Sequence, residues 1–203
     1  MPEDKAYNPL DYDNLTINLV RELMTRGPFA LPLPASFPGP GVYALFYDGD
    51  FPEYATLRSS DATKPIYVGK AVPPGARKGS ARSDVAPALF QRIMEHVDSI
   101  NAATNLDVAH FTCRYLTVVP LWITMAERFL IEYYQPIWNV CVEGFGLHDP
   151  GAGRHQGEIP WWDALHPGRI WAQRLRQTKT NDDAVERLRT FLASRSTQRP
   201  GTP

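Results

Sequence analysis

Residues 41–47 read GVYALFY, and a second apolar run, PIYVG, follows at residues 65–69. Both runs are rich in β-branched and aromatic residues, which fit the pleated surface of a sheet, so we predict two strands. The Asp-Gly-Asp sequence at residues 48–50 marks a turn after the first run. Two neighbouring strands joined in this way indicate an antiparallel pair, and their connection is long enough to carry binding residues.

A helix, a strand and a second helix are predicted downstream of this pair. Over residues 86–101, aliphatic residues recur at helical spacing and Pro87 suits the first turn, which predicts an amphipathic helix. Residues 111–119 alternate well enough to form a third strand. Pro120 then opens a helix that reaches about Tyr134. Because this helix is apolar almost all round, we expect it to be central.

The residues before the first strand predict a helix and an arm. Asp11 or Asp13 can cap a helix that continues to about Arg26, with leucines at helical spacing along one side. A Gly-Pro pair ends this helix. Residues 29–40 are rich in proline, so we expect an extended arm without regular structure.

The residues after position 140 are predicted to form a peripheral extension. They include the glycine-rich sequence GFGLHDPGAG at 144–153 and a helical pattern over 182–193. Trp161, Trp162 and Trp171 are interpreted as packing residues, since large aromatic side chains contribute most of their free energy by burial.

The predicted fold class is α+β, with a small central antiparallel or mixed β-sheet flanked by helices. We divide the chain into an N-terminal helix and proline-rich arm (1–40), a core (41–140) with a basic loop (70–86), and a C-terminal extension (141–203). With 203 residues and 43% hydrophobic content, the whole chain is expected to form one compact domain.

The composition argues against several classes of protein. No uninterrupted apolar run approaches the roughly 20 residues that a membrane span needs. The first residues lack a basic region followed by an apolar stretch, so we expect a cytoplasmic protein without a membrane partner. Cys113 and Cys141 lie far apart without C-x-x-C spacing, which favours buried reduced thiols over a disulfide framework or a zinc cluster.

Charge is unevenly distributed along a chain whose net charge is -1. Residues 64–83 contain no acidic side chain and include the basic residues Lys64, Lys70, Arg77, Lys78 and Arg82. Residues 151–203 also carry more basic than acidic side chains. Two such segments can hold a polyanion, so the candidate DNA-binding residues are Lys70, Arg77, Lys78 and Arg82. Each segment alone is equally consistent with an ordinary solvated loop or tail.

Taken one at a time, several polar residues of the core are weak signals of function. Tyr43 and Tyr67 lie on predicted strands, where tyrosine commonly packs its ring and leaves its hydroxyl in water. Arg92 and His96 are four residues apart, so they share a helix face, which we place beside the apolar stripe rather than inside it. A solvated pair would look the same.

Glu127 is a stronger signal, because a carboxylate within the apolar sequence LWITMAERFLIEYY must be paired, bind a metal or face a cleft. Its neighbour Arg128 is a poor partner, since adjacent helix positions point about 100° apart. Asn139 follows Pro-Ile-Trp and is also consistent with a residue that caps the helix end or bonds a turn.

The order of these features resembles that of the GIY-YIG nucleases. Over about residues 41–139 the chain has G-V-Y, then Y-V-G, then Arg and His one helical turn apart, then a carboxylate in an apolar helix, then P-I-W-N. Valine replaces the isoleucine typical of both motifs, a change that leaves the chemistry alone. By this resemblance, the catalytic residues are Tyr43, Tyr67, Arg92, His96, Glu127 and Asn139. Lys70 joins them because its charge can assist a nearby tyrosine.

The resemblance implies metal-dependent hydrolysis of a phosphodiester bond. Glu127 is expected to hold one Mg²⁺ per active site, for which Mn²⁺ can substitute. Arg92 can neutralise the scissile phosphate, and Tyr67 can donate its hydroxyl to that group. Tyr43 is the expected general base, with positive charge lowering a pKa that is otherwise near ~10 and with His96 orienting or relaying the proton. The alternative is that His96 is the base.

Within this family, the chain is most similar to the type II restriction endonucleases that cut CCGCGG. It lacks the Cys and His array of a zinc module. Cleavage of both strands of a palindrome implies a homodimer, in which the N-terminal helix either contacts the second subunit or packs on its own domain. A cognate methyltransferase is expected in the host, without a stable complex. The candidate guanine-reading residues are Arg77, Arg82, Arg154 and Arg169.

Two other functions remain consistent with the sequence. A structure-specific nuclease of repair or of a mobile element would cut flaps or branched DNA and would give no discrete plasmid fragments. A catalytically silent DNA-binding module is disfavoured, because every catalytic position implied by the resemblance holds a competent residue.

Overall fold

A four-stranded antiparallel sheet lies at the centre of the computed structural model, which describes residues 8–72, 86–151, 153 and 156–197. Within these ranges the strand order is β1-β4-β2-β3. The strands are β1 (Phe29–Ala30), β2 (Gly41–Tyr47), β3 (Tyr67–Ala71) and β4 (Phe111–Thr117). The helices are α1 (Tyr12–Met24), α2 (Ala88–Ala102), α3 (Ile123–Tyr134), α4 (Ile137–Val140), α5 (Trp161–Leu165) and α6 (Asn181–Thr197). The predicted α+β class and the antiparallel pairing of β2 with β3 are confirmed.

Strand β2 is buried along its whole length because the sheet is covered on both faces. On one face, Tyr43, Leu45 and Tyr47 belong to a large core shared with α2, α5 and α6. On the other face, Val42 and Phe46 belong to a smaller core shared with α1 and α3. The period of two along a strand therefore assigns alternate residues of GVYALFY to two different cores.

Helix α3 lies on one face of the sheet, so the expected central position was wrong. Ile123, Ala126 and Leu130 face the smaller core, while Arg128 and Tyr133 are exposed. Its sequence reads as apolar all round because Tyr133 is exposed and Met125 only half-buried outside the stripe that faces the core. The helix ends at Gln135, whose left-handed backbone conformation (φ 48°) precedes a proline.

The proline-rich arm contains a short strand that the sequence did not predict. Phe29 pairs with Cys113 and Ala30 with Thr112, which adds β1 to the edge of the sheet beside β4. The ring of Phe29 lies 5.0 Å from that of Tyr115. Because a strand of two residues has no period of its own, only its partner strand could have indicated it.

Helix α1 packs on its own domain, where Leu23 is buried in the smaller core. Buried Arg114 of β4 secures its end, since its Nη1 donates to the backbone oxygens of Met24 (2.8 Å) and Arg26 (2.9 Å). Carbonyls near the end of a helix lack intrahelical partners, and a cation is well placed to satisfy them. Leu23 is buried, whereas the other leucines of the apolar stripe are half-buried, so α1 packs on its own domain without covering that stripe completely.

The segment after residue 140 is not peripheral, in contrast to the prediction. Trp162, Leu165 and Leu188 are completely buried in the same core as Tyr43. The Trp162 ring meets the Trp138 ring edge to face, with centroids 5.7 Å apart. The boundary drawn at residue 140 thus does not separate two cores. No helix in the described ranges is long and apolar enough to cross a membrane.

Candidate active site

Tyr43 and Tyr67 come from paired strands and share the face of the sheet that α2 covers. In the register, Tyr43 lies opposite Gly69 and Tyr67 lies opposite Leu45, so the two rings are diagonal neighbours with centroids 6.2 Å apart. A Cβ atom at Gly69 would overlap the Tyr43 hydroxyl. The glycine of the second motif is therefore needed to leave space for the tyrosine of the first.

His96 projects from α2 onto Tyr43, and its Nε2 is hydrogen-bonded to the Tyr43 hydroxyl. The His96 side chain is inside the core, with 1% of its surface exposed, so its expected place beside the apolar stripe was wrong. Its ring stacks on Phe145 at a centroid distance of 4.4 Å and meets Tyr67 edge-on at 5.1 Å. The helical spacing predicted that Arg92 and His96 share a face of α2. It could not show how much of that face is covered by other parts of the protein.

Burial keeps both members of this pair neutral. It raises the pKa of Tyr43 well above its ordinary value, and neighbouring Tyr67 raises it further, while Arg92 acts in the opposite direction. Burial lowers the pKa of His96 well below its ordinary value, and the charge of Arg92 adds to this effect. The positive charge expected to lower the pKa of Tyr43 is present, but desolvation outweighs it. Tyr43 is thus a phenol that can donate its proton to a neutral imidazole.

Arg92 is held by several partners at the mouth of this pair. Its Nη1 donates to Glu95 Oε2 at 2.7 Å and also contacts His148 Nε2, while its Nη2 donates to the backbone oxygen of Gly146 at 2.7 Å. The side chain is 19% exposed, so the guanidinium is fixed but still reaches solvent. A fixed guanidinium that still reaches solvent can bind an anion with its remaining donors.

Glu127 and Lys70 form an ion pair beside strand β3, with Lys70 Nζ 2.8 Å from Glu127 Oε2. Arg128 pairs instead with Glu132, at 2.7 Å, which agrees with the prediction that it is not the partner of Glu127. The Glu127 side chain is 22% exposed, and its negative charge contributes to the raised pKa of Tyr67, although burial is the largest cause. The carboxylate is therefore near Tyr67 while remaining open to water.

Asn139 is bonded to the backbone of β3. Its Oδ1 accepts from the Val68 N–H and its Nδ2 donates to the Val68 carbonyl, both at 2.8 Å. The amide thus substitutes for a neighbouring strand at the edge of the sheet. It positions the segment that carries Tyr67 and Lys70, and its own polar groups are already used.

A divalent cation at Glu127 would have one carboxylate from the protein. Among the described residues, no group of three or more His, Cys, Asp or Glu side chains could hold a metal. A single, partly exposed carboxylate suits a hard cation such as Mg²⁺, which retains several waters and takes further oxygen ligands from a phosphate. The donor chemistry therefore fits the expected ion.

Comparison with known families identifies this constellation. The family model described as the Eco29kI GIY-YIG domain matches residues 35–191. The chain belongs to this family of type II restriction endonucleases. No curated protein matches the chain.

As a member of the Eco29kI GIY-YIG family, the protein is a restriction-type nuclease, and its domain implies that it binds DNA. The match extends well beyond residues 41–139, over which the sequence motifs carried the resemblance. It begins in the proline-rich arm and ends within α6. The Eco29kI GIY-YIG domain thus includes most of the segment that we expected to be an extension.

Of the residues expected to contact DNA, the structure describes only Lys70 and Arg169. Arg77, Lys78, Arg82 and Arg154 lie outside the described residues. Arg169 is only 4% exposed and pairs with Asp163, so it cannot read a guanine, and that expectation was wrong. Lys70 borders the candidate active site.

Sequence reasoning missed the residues that the loop at 144–148 brings to the site. Phe145 packs on His96 and Tyr67, and the Gly146 carbonyl and His148 contact Arg92. The glycine-rich sequence GFGLHD was visible, but it has no period and its contacts to Arg92 span 54 to 56 positions. The alternating glycines were the one local signal of a close backbone approach.

Proposed function

We propose that this protein is a type II, site-specific endonuclease that hydrolyses phosphodiester bonds in both strands of DNA at a GC-rich palindrome such as CCGCGG. The observation that carries the proposal is the convergence of two tyrosines, an imidazole, an arginine and a carboxylate paired with a lysine around strand β3. Phosphodiester hydrolysis needs a route for the proton of water, neutralisation of phosphate charge and stabilisation of the leaving oxygen. The set contains a group for each need.

In this proposal, Tyr43 and His96 remove the proton of the attacking water. The Nε2 atom of His96 is bonded to the Tyr43 hydroxyl, so a proton reaches the imidazole through the phenol. As water attacks phosphorus, Tyr43 takes one of its protons and passes its own to His96. The phenol stays neutral throughout this relay, because the charge passes to His96. Burial also disfavours the imidazolium that forms, so in this proposal the negative charge of the attacked phosphate offsets it. The relay retains Tyr43 as the group that takes the proton, with His96 as the final acceptor. Because Tyr43 is buried, the attacking water would enter beside Arg92, which reaches solvent.

Arg92, Tyr67 and Lys70 are assigned to the phosphate. Arg92 presents a guanidinium whose position is fixed by Gly146 and His148, so little ordering is needed when the phosphate arrives. Tyr67 keeps its proton because burial raises its pKa, and it can therefore donate a hydrogen bond. Lys70 already borders Glu127 and would add positive charge to a phosphate bound there.

Glu127 is proposed to hold one Mg²⁺ per active site, and Mn²⁺ would substitute for it. When bound, the ion would supply positive charge to the phosphate and leaving oxygens. Asn139 is assigned a positioning role, because its amide is bonded to Val68 on both sides. It orients strand β3 and does not contact the phosphate.

Cleavage of a palindrome in both strands implies two active sites, and we therefore propose a homodimer with one half-site per subunit. Arg77, Lys78 and Arg82 are the proposed DNA-binding residues beside Lys70, since they form a basic run without acidic neighbours. A host methyltransferase would protect the same sequence.

Digestion of defined GC-rich and AT-rich plasmids tests this function. The purified chain is compared with Glu127→Gln and, as a matched control on the same helix, Glu132→Gln, in Mg²⁺, Mn²⁺ or EDTA. We expect discrete metal-dependent fragments from the wild type and from Glu132→Gln, and none from Glu127→Gln. Cleavage restricted to flaps or branched DNA would favour the structure-specific alternative. Binding of DNA without cleavage in any divalent cation would favour a silent binding module.

A further inference from the structure

The loop at residues 144–148, here called the clamp loop, forms a wall of the candidate active site. Its Gly146 carbonyl accepts a hydrogen bond from Arg92 Nη2 at 2.7 Å, and His148 contacts Arg92 Nη1. Phe145 stacks on His96 and meets Tyr67 edge-on, with a centroid distance of 4.9 Å to Tyr67. Each of these contacts restricts a residue that the proposed chemistry uses.

The backbone of the clamp loop approaches the site closely. A Cβ atom at position 146 would lie 2.5 Å from the Tyr67 hydroxyl and 3.5 Å from Arg92 Nη2. Only glycine therefore allows the 146 carbonyl to reach Arg92 while leaving the Tyr67 hydroxyl in place. The loop is shaped to the two side chains that are assigned to the phosphate.

Arg169 holds the clamp loop from its buried side. Its Nη1 donates to the carbonyls of Phe145 (3.0 Å) and Leu147 (3.1 Å), and its Nη2 donates to that of Gly144 (3.0 Å). The remaining donors go to Asp163, with Nε at 2.7 Å from Oδ1 and Nη2 at 2.5 Å from Oδ2. All five N–H donors of the guanidinium are thus used, and lysine could not reproduce this set.

The surroundings of Arg169 fix its position further. Its guanidinium lies between two aromatic rings, 4.5 Å from the centroid of Trp162 and 4.7 Å from that of Trp171. Asp163 is buried as well, with 2% of its surface exposed. A charged pair placed this deeply is an inefficient way to stabilise a fold, since apolar residues of similar size serve as well. The position of the Arg169–Asp163 pair is better explained by the clamp loop, whose carbonyls Arg169 binds.

We infer that Arg169 is a positioning residue for the active site: through the clamp loop it orients Arg92 toward the scissile phosphate. The inference rests on the proposed phosphodiester hydrolysis, in which Arg92 neutralises that phosphate. Arg169 itself is buried and touches no substrate. Its effect is to order, before DNA binds, a long side chain that would otherwise sample many rotamers.

Kinetics of Arg169→Lys, with exposed Arg174→Lys as the matched control, test the inference. Because a small displacement of a catalytic group can cost about 100-fold in rate, we expect kcat to fall by roughly 10- to 100-fold with little change in KM. Arg174→Lys should behave as the wild type. In an Arg92→Ala background, Arg169→Lys should cause almost no further loss. An equal fold-loss in both backgrounds would show that Arg169 does not act through Arg92 and would overturn the inference.

Side-chain NMR of the arginine guanidinium groups gives a readout that does not depend on cleavage. In the free wild-type chain the Arg92 Nη protons should be resolved, because hydrogen bonds hinder rotation, and the signals are assigned by their loss in Arg92→Lys. Arg169→Lys should average these signals and Arg174→Lys should not; unchanged Arg92 signals in folded Arg169→Lys would contradict the inference. If the wild type does not cut DNA, the proposed function fails while this measurement still decides the role of Arg169.

A second variant covers the case in which Arg169→Lys does not fold. His148 has 63% of its side chain exposed, so His148→Ala should leave the fold intact. We expect it to increase the mobility of Arg92 and to lower kcat several-fold. Resolved Arg92 signals together with wild-type kcat in this variant would show that the clamp loop does not orient Arg92.

Discussion

Two buried tyrosine–histidine pairs in this protein have the same chemistry and different surroundings. In one, the Tyr43 hydroxyl is bonded to His96 Nε2; in the other, Tyr54 Oη lies 2.5 Å from His166 Nε2. Burial raises the pKa of both tyrosines and lowers the pKa of both histidines. A close tyrosine–histidine contact with shifted pKa values is therefore not by itself a sign of catalysis.

The pairs differ in what surrounds them. Tyr54 also accepts from Trp138 Nε1 at 2.7 Å, and His166 Nδ1 lies 2.9 Å from the side-chain oxygen of Asn105. This second pair is enclosed and its polar atoms satisfy one another. The first pair instead adjoins Arg92, which still reaches solvent. The contrast assigns a structural role to Tyr54–His166 and leaves the proposed chemistry to Tyr43–His96.

Removing the tyrosine hydroxyl from each pair should distinguish the catalytic role from the structural role most clearly. Tyr43→Phe should lower the cleavage rate by about 10²- to 10⁴-fold, since it removes the proposed proton relay. Tyr54→Phe should retain the cleavage rate but lower the free energy of unfolding by about 1–3 kcal/mol, because it leaves Trp138 Nε1 without its partner. Plasmid cleavage rates and urea denaturation of both variants measure the two effects. Similar losses of rate in both would refute the division of roles.

Substitution of the two histidines should show the same contrast: loss of His96 should slow cleavage more than loss of His166. His96→Ala should reduce cleavage by about 10²-fold, less than Tyr43→Phe at its largest, because water could accept the proton that His96 normally takes. His166→Ala should leave the cleavage rate of the folded protein near that of the wild type. Single-turnover rates at saturating protein check this. Near-complete inactivity of His96→Ala beside an active Tyr43→Phe would make His96 the base.

Protonation of the enclosed pair should make stability depend on pH. The pKa of His166 is lowered by burial from 6.5 to about 3, so between these values the unfolded chain binds a proton that the folded chain does not. Stability therefore falls as the pH decreases through this window, by about 2 kcal/mol between pH 7 and pH 5 for this one group. Burial of His96 acts in the same direction. The difference between the urea midpoints at pH 7 and pH 5 should be smaller in His166→Gln than in the wild type. An equal difference in both proteins would refute the assignment to His166.

Two adjacent residues of α4 provide a finer test. Trp138 donates to Tyr54 of the enclosed pair, whereas Asn139 is bonded to strand β3 beside the Tyr43–His96 pair. Asn139→Ala should cost about 1–2 kcal/mol, because the Val68 N–H and carbonyl lose their partners, and it should also slow cleavage. Trp138→Phe should lower stability without a comparable effect on the cleavage rate of folded protein. The ratio of kinetic to thermodynamic loss distinguishes the two, and equal ratios would argue against a positioning role for Asn139.

The parts of this fold that sequence could predict are those with a local period. Strands β2, β3 and β4 and helices α2 and α3 were expected in the observed order, because their alternation or helical spacing is set by nearby residues. Strand β1 was not predicted, since its two residues are defined by pairing with β4. The helix ends were displaced by a few residues, as capping depends on the neighbouring loops.

The candidate site was predictable to a similar extent. The motif order placed Tyr43, Tyr67 and Glu127 near one another, and the structure brings them around β3. The clamp loop carries no signal beyond its two glycines, and Arg169 carries none, because contacts between distant, aperiodic segments leave no period in the sequence. Burial of His96 was missed for a related reason: the spacing within a helix does not reveal how much of its surface other elements cover.

The bond between Asn139 and Val68 has a consequence for solubility. Among the described residues, strand β3 is an edge of the sheet, and an unprotected edge offers N–H and carbonyl groups to which another chain can add a strand. The Asn139 amide occupies both outward groups of Val68 at the middle of that edge. The proposed function keeps this edge accessible to DNA, and the Asn139 amide leaves Val68 with no free N–H or carbonyl to which a second polypeptide could pair.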